Sequence, residues 1–353
     1  MSFGCHSSCI IIDKLQKEIS MRRKFFYFIV FLITLFIGII FGIAFQRYKL
    51  FPNAYIKESY QYITQDKSII PWSIGIYEGA TPFNLTSPKE IINPVLTAKD
   101  VTDINARFVA DPFIVVNNGK FFLFFEVMNR QTNQGDIGYA ESDDGKTWKY
   151  KQIIIDEPFH LSYPYVFEWN NEYYLIPESH QDFSVRLYKA TSFPSKWVYM
   201  GNLLSGFQCV DPSIFRYKDK WWLFVATGAN NVLNLFYSDK LLRGWQPHPL
   251  NPIIKLNKHI ARPGGRVILY NGKPYRFTQD CEPSYGLQVF AFEITELSEA
   301  RYHEKIVSET PVVTKTGNRW NSAGMHQVDV IKVGNRWIAA VDGYGGKSAY
   351  AGK

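Results

Sequence analysis

Residues 110–126 read ADPFIVVNNGKFFLFFE, an apolar run, an Asn-Gly turn and a second apolar run. Asn-Gly between two strand-like runs is the strongest short-range signal for a β-hairpin. The same plan returns four times: SYPYVFEWNNEYYLIPE (162–178), VDPSIFRYKDKWWLFVAT (210–227), ARPGGRVILYNGKPYRFTQD (261–280) and MHQVDVIKVGNRWIAAVD (325–342). The turns centre on Gly119, Asn171, Asp219, Gly272 and Gly334, at spacings of 52, 48, 53 and 62 residues. A period near 50 with a hairpin in every unit predicts an all-β, five-bladed β-propeller, each unit forming one four-stranded blade. A sandwich needs only about seven to nine strands, whereas this chain offers about eighteen to twenty.

The outer strands follow from the same pattern. Residues 136–140 and 148–155 complete blade one, 184–190 and 197–201 blade two, 233–238 with Trp245 blade three, and 286–293 blade four. Blade five has no outer strand of its own before Lys353, so residues 72–77 are expected to supply it and close the ring without an open sheet edge.

Inner strands of a propeller line a central channel, and their first residues meet at one mouth. Superposing the units on their turns brings Asp111, Tyr163, Asp211, Arg262 and His326 to equivalent positions. The second strands end at Glu126, Glu178, Thr227, Gln279 or Asp280, and Asp342. Asp-Pro alone reads as a turn cap, but polar groups at five ring-related positions predict a ligand site. Arg262 and Arg266 flank Pro263-Gly264-Gly265; that segment fits either an anion cradle or a tight bend with a structural Arg. No cofactor or metal is implied, and the cysteine spacing offers no zinc site. The alternative is a hard cation held by Asp111 and Asp211, since such ions favour carboxylate oxygens. Cys209 and Cys281 could pair, which spacing alone does not decide.

Ahead of the repeat, residues 25–45 carry no charge, and sixteen of these 21 are Phe, Ile, Leu or Val. As a helix the run would span about 31 Å, matching the hydrocarbon core of a bilayer, with insertion favoured by up to about 5–10 kcal/mol. Lys14, Lys17, Arg22, Arg23 and Lys24 precede it, and only Arg47 and Lys49 closely follow. The positive-inside rule then places residues 1–24 in the cytoplasm. Residues 46–69 read as a stalk, and residues 70–353 as the propeller on the extracytoplasmic or lumenal side. The run is longer than the apolar core of a cleaved signal peptide. Asn84-Leu85-Thr86 is a glycosylation sequon on that far side. The net charge of +7 includes the basic membrane flank, and no separate basic stripe suggests nucleic-acid binding.

Several longer motifs carry a resemblance. PVLTAKDVTD (94–103), FVADPF (108–113), QGDIGYA (134–140), HLSYPYVF (160–167), YSDKLLRGWQPHPLNPI (237–253), ARPGGR (261–266) and QDCEPSYG (279–286) occur in order. They resemble the N-terminal domain of glucosamine inositolphosphorylceramide transferases over roughly residues 70–300. That domain is similar in turn to the five-bladed propellers of furanose-active glycoside hydrolases. The resemblance implies carbohydrate handling in which Asp111 matches a blade-one general base and Asp211 a blade-three pKa modulator. The blade-four general acid is replaced by Arg262, which stays protonated and cannot donate as an acid. The family's transferase domain follows this one, and the chain ends at Lys353, so transfer is not expected of it.

The expectation is therefore a single-pass membrane protein whose propeller recognises glycan or glycolipid beside a separate glycosyltransferase. Asp111, Glu126, Tyr163, Glu178, Asp211, Arg262, Gln279, Asp280 and His326 would contact the ligand. One alternative is a glycoside hydrolase with Asp111 as base, Asp211 as modulator and Glu178, or else Asp280, as acid. The other is a non-catalytic protein-interaction scaffold.

Overall fold

A computed structural model describes residues 70–317 and 320–345, together with Thr34 alone. The described residues from Ile70 to Gly345 fall in one compact unit. The chain opens with β1 (Ile70–Thr81) and β2 (Asn84–Thr86). Blade one follows as β3 (Ala106–Asn117), β4 (Lys120–Asn129), β5 (Gly135–Ser142) and β6 (Lys149–Ile155). Blade two is β7 (Ser162–Trp169), β8 (Glu172–Glu178), β9 (Ser184–Ser192) and β10 (Lys196–Ser205). Blade three is β11 (Val210–Tyr217), β12 (Lys220–Thr227), β13 (Val232–Ser238) and the short β14 (Gln246–Pro247). Blade four comprises β15 (Arg262–Pro263), β16 (Ile268–Tyr270), β17 (Lys273–Asp280), β18 (Gln288–Leu297), β19 (Tyr302–Ile306) and β20 (Val313–Thr314). Blade five contributes β21 (Val328–Val333) and β22 (Arg336–Gly345).

Five antiparallel sheets result, as the repeat predicts. The fifth has the order β2-β1-β22-β21, so the N-terminal strand closes the ring, with Ile74 opposite Asp342 and Ile76 opposite Ala340. The closing strand is longer than the sequence suggests. Among the described residues no helix is long and apolar enough to cross a membrane; of the run 25–45 only Thr34 is described.

Each interface between blades holds its own apolar cluster. Phe122, Phe124 and Ile137 of blade one meet Val166, Leu175 and Tyr188 of blade two. Ile214, Trp221 and Leu223 of blade three pack on Ile176, Val185 and Leu187 of blade two. Phe215 and Leu235 face Ala261 and Ile294 across the next junction, and Phe277 and Val289 face Val328 and Val330 across the one after. Ile74 and Ile76 join Val109 and Leu123 where the ring closes. A strand covered on both faces cannot alternate polar with apolar, which accounts for the nearly unbroken FFLFF of β4. Cys209 and Cys281 are both buried free thiols, so the pairing that spacing left open is not made.

The axis is plugged by side chains. Arg266 reaches inward from the β15–β16 connection and pairs with Asp329 of blade five at 2.9 and 3.1 Å. It also donates to the carbonyls of Val166 (2.8 Å) and Ile114 (3.4 Å), so one guanidinium ties blade four to blades five, two and one. Beside it, the Tyr163 hydroxyl bonds Ser213 Oγ (2.8 Å) and both the N–H and carbonyl of Gly265 (2.9 and 3.0 Å). Gly265 has φ 148, and a Cβ there would lie 1.8 Å from the Val328 carbonyl oxygen, so only glycine fits. Of the two readings of Pro-Gly-Gly, the structure supports the tight bend with a structural Arg266.

Candidate functional site

The mouth is built from a backbone irregularity repeated in three blades. Asp111, Tyr163 and Asp211 each precede a proline and each have positive φ, at 52, 45 and 48°. The pairing register shifts at all three points, between Ala110 and Phe113, Ser162 and Tyr165, and Val210 and Ser213. These are β-bulges, which re-aim a side chain and leave a backbone group unpaired in the ladder. Positive φ is tolerable for Asp and uncommon for Tyr, so such strain persists only where the surroundings fix it.

They do fix it, through a chain of bonds running from blade to blade. Asp342 Oδ2 of blade five accepts the Asp111 N–H at 2.9 Å. Asp111 Oδ2 accepts the Tyr163 N–H at 3.2 Å, and Glu178 Oε2 accepts the Asp211 N–H at 3.1 Å. Asp211 receives Arg262 Nε at 2.6 Å, Arg262 Nη2 at 3.3 Å and Gln279 Nε2 at 2.8 Å. Arg262 also donates to Asn230 Oδ1 at 2.8 Å, and it lies 3.8 Å from Glu178. His326 Nδ1 donates to Asp342 Oδ1 at 2.8 Å, with its Nε2 3.6 Å from Asp111.

Electrostatics separate the carboxyls. Burial, with His326 opposing and Asp342 assisting, pushes Asp111 up to about 6. Burial raises Glu126 well above the carboxylate range, and Asp111 and Glu178 add to it. Glu126 Oε1 is buried and makes no hydrogen bond, with His160 Nε2 3.6 Å away. Burial acts on Glu178 too, but the His180 hydrogen bond at 2.7 Å and the charges of His180 and Arg262 prevail and hold it well below its ordinary value. Burial opposes the charge of Arg262, yet Asp211, Tyr285 and Glu178 hold its pKa well above the usual value.

His160 offers a direct check. Its Nδ1 accepts the Gly135 N–H at 2.9 Å, and burial lowers its pKa to about 4. The ring should therefore stay neutral, with the proton on Nε2, until the pH nears 4, as ¹⁵N NMR would report. An unfolded chain takes up that proton near pH 6.5. This group then removes about 3 kcal/mol of stability as pH falls from about 6.5 to 4. Asp111 acts in the opposite sense between about 4 and 6. A His160 midpoint at its ordinary value would contradict the burial.

Of the residues expected at the site, Asp111 and His326 meet on Asp342, Glu178 and Arg262 meet on Asp211, and Glu126 feels the charge of Asp111 and Glu178 beside them. Gln279 supports the cluster from below, bonded to Asp211 and the Pro263 carbonyl and fully buried. Tyr163 joins by its backbone, while its ring, also fully buried, points to the axial plug. Asp280 is not brought in. Alternation along β17 turns it to the other face, where it bonds His259 (2.9 Å) and Gln288 (2.9 Å). Sequence reasoning saw Asp342 as a strand end without placing it among the contacts, and passed over His160, His180, Trp72 and Tyr285 as site residues, although His160 and Tyr285 stand inside the quoted HLSYPYVF and QDCEPSYG. Asp111, His326 and Asp342 each present a ligand atom within 4.8 Å of the others and could hold a metal. The expected partner Asp211 is instead committed to Arg262 and Gln279.

With this geometry in place, the comparisons fall into line. Residues 64–344 match the family described as glucosamine inositolphosphorylceramide transferase 1, N-terminal. The chain belongs to that family. Two glucosamine inositolphosphorylceramide transferase 1 proteins illustrate it. The one from Oryza sativa subsp. japonica is 37% identical over 296 residues, covering 77% of this chain and 40% of its own length. The one from Arabidopsis thaliana is 37% identical over 297 residues, covering 77% and 39%. The chain thus spans about 40% of these relatives, and the transfer activity in their name is that of the longer proteins. Among solved structures, the β-1,2-mannobiose phosphorylase from Listeria innocua has a TM-score of 0.55 at 14% identity, covering 76% of this chain and 96% of its own. A glycosyl hydrolase from Bacteroides ovatus has a TM-score of 0.52 at 10% identity, covering 72% and 92%. At such identities the likeness is one of fold.

Proposed function

We propose that the mouth of the propeller recognises the carbohydrate portion of a glycolipid or glycan, beside a separate glycosyltransferase and without turnover. The observation that carries this reading is the convergence at the mouth of two hydrogen-bonded groups drawn from five blades, Asp111 and His326 on Asp342 and Glu178 and Arg262 on Asp211, bridged by Tyr163 and Ser213. Carboxylates and a guanidinium together match the donors and acceptors of sugar hydroxyls.

Hydrolysis with Glu178 as the acid is the weaker reading. Inverting cleavage needs a protonated acid opposite a base, and Glu178 is held ionised by His180 and Arg262. A glycan array probed with wild-type protein and Asp111→Asn tests the proposal. Retention of specific sugars that falls at least about tenfold in the variant, a loss of about 1.4 kcal/mol, is expected, with aryl-glycosides left intact. Retention of no sugar would refute it, and aryl-glycoside turnover lost in Asp111→Asn would replace binding with hydrolysis.

The setting is part of the proposal: residues 25–45 anchor the chain, and the propeller lies on the extracytoplasmic or lumenal side. Asn84 and Thr86 are exposed on β2, so the sequon is open to modification. Expression in a eukaryotic cell should give an endoglycosidase-sensitive mass increase that Asn84→Gln abolishes. Cytoplasmic activity of a reporter fused after Lys353 would contradict that orientation.

A further inference from the structure

One large aromatic at the mouth is neither core nor part of the hydrogen-bonded cluster. Tyr285 sits on the connection between β17 and β18 and is 41% exposed. Its ring centroid lies 5.0 Å from the Arg262 guanidinium carbon. The ring stands edge-on to His326 (5.2 Å, 90°) and to Trp72 (6.4 Å, 72°). Trp72 in turn is stacked on His326 at 4.0 Å and tilted against Tyr344 at 4.5 Å. A cation and two rings thus set the plane of Tyr285, and Trp72 is held by neighbours of its own.

The backbone beneath Tyr285 is held as well. The Cys281 N–H bonds the Lys258 carbonyl, the Glu282 N–H bonds Asp280 Oδ1, and the Leu287 N–H bonds the Asp280 carbonyl. Gly286 has φ 71, and a Cβ there would meet the Trp72 ring at 2.8 Å. A Cβ on Gly324 would lie 2.1 Å from the Gly286 carbonyl oxygen. The loop is packed too closely to swing, so Tyr285 is pre-organised. An aromatic ring that is already ordered offers contact area without a further cost in conformational entropy.

We infer that Tyr285 is the ring-stacking residue of this site, taking the apolar face of a six-membered sugar or cyclitol ring whose hydroxyls reach the Arg262 side of the mouth. This rests on the reading that the mouth binds carbohydrate. It adds that selection is made by ring face as well as by hydroxyl pattern: a ligand with one continuous C–H face is taken, and one with axial hydroxyls on both faces is refused.

The test uses the full-length chain as wild type, Tyr285→Phe and Tyr285→Ala. Probes are myo-inositol and the methyl glycosides of glucose, galactose, mannose, glucosamine and N-acetylglucosamine, followed by saturation-transfer NMR and titration. For the probes the wild type binds, Tyr285→Ala should weaken affinity about tenfold, equivalent to about 1.4 kcal/mol. Tyr285→Phe should stay within about threefold, because stacking needs the ring and not the hydroxyl. Tyr285→Phe should melt with the wild type, and Tyr285→Ala should melt lower yet stay folded at the titration temperature, since the ring packs on Arg262, His326 and Trp72. Unchanged affinity in Tyr285→Ala overturns the inference while leaving the carbohydrate reading standing. Equal losses in both variants assign the effect to the hydroxyl and also overturn it. Binding of no probe by the wild type removes the carbohydrate reading, and this inference with it.

Discussion

Replacing Arg266 by methionine is expected to lower the unfolding free energy by about 3–5 kcal/mol, the cost of removing one partner from a buried ion pair. Asp329 is fully buried, and in the variant its carboxylate would keep the N–H groups of Ile114 (2.7 Å) and of residue 266 but lose both guanidinium bonds. The carbonyls of Val166 and Ile114 would lose their guanidinium donor as well. Methionine fills much of the volume beside Phe113 and Tyr165, so the loss is electrostatic and hydrogen-bonding rather than a cavity. Urea denaturation reads the effect directly, and the melting temperature should fall on the order of 10 °C. The exposed pair of Arg301 and Glu296 serves as control: Arg301→Met should change stability by less than about 0.5 kcal/mol. Equal effects of the two variants would contradict the axial role.

Arg262→Met is expected to match the first variant in stability and to differ from it in function. Asp211, fully buried, would keep Gln279 Nε2 but lose both guanidinium bonds, and Glu178 would lose the cation 3.8 Å away. Removing the cation raises the pKa of both carboxyls, so the folded variant takes up protons at higher pH than the wild type does. The deficit of about 3–5 kcal/mol near neutral pH should therefore shrink as the pH is lowered towards 5. Adding Asp211→Asn should recover part of it at neutral pH, since an amide needs no counter-charge. Carbohydrate retention should be lost in the single and the double variant. A deficit that grows on acidification would show that Arg262 does not lower the pKa of these carboxyls.

Much of this fold is written in local signals. The turns at Gly119, Asn171, Asp219, Gly272 and Gly334 are made by two or three residues each, and all five fall between paired strands. The closing strand was foreseeable because a ring of sheets cannot leave one edge bare. Which strand-end residue faces the axis was harder. Gln279 and Asp280 are neighbours in β17, and a single step of register sends one to Asp211 and the other to His259. Asp342 was visible as a strand end, but its importance comes from accepting the Asp111, His326 and Gln327 N–H groups. That role depends on the bulge at Asp111, which the sequence marks only as an Asp-Pro step that reads equally as a turn cap. Tyr285 escaped because a loop position becomes a platform only when Trp72, far away in sequence, packs beneath it.

The central claim is that the inner-strand ends of five blades make one carbohydrate site around Arg262. It is tested most directly by following arginine and histidine side-chain signals in ¹⁵N NMR while a sugar retained on the array is titrated in. Arg262, His160 and His326 should shift together along one binding curve, while Arg266 and Arg276, buried against Asp329 and Glu304, stay fixed. Sugar binding that leaves Arg262 and His326 unmoved would place the ligand elsewhere and contradict the account.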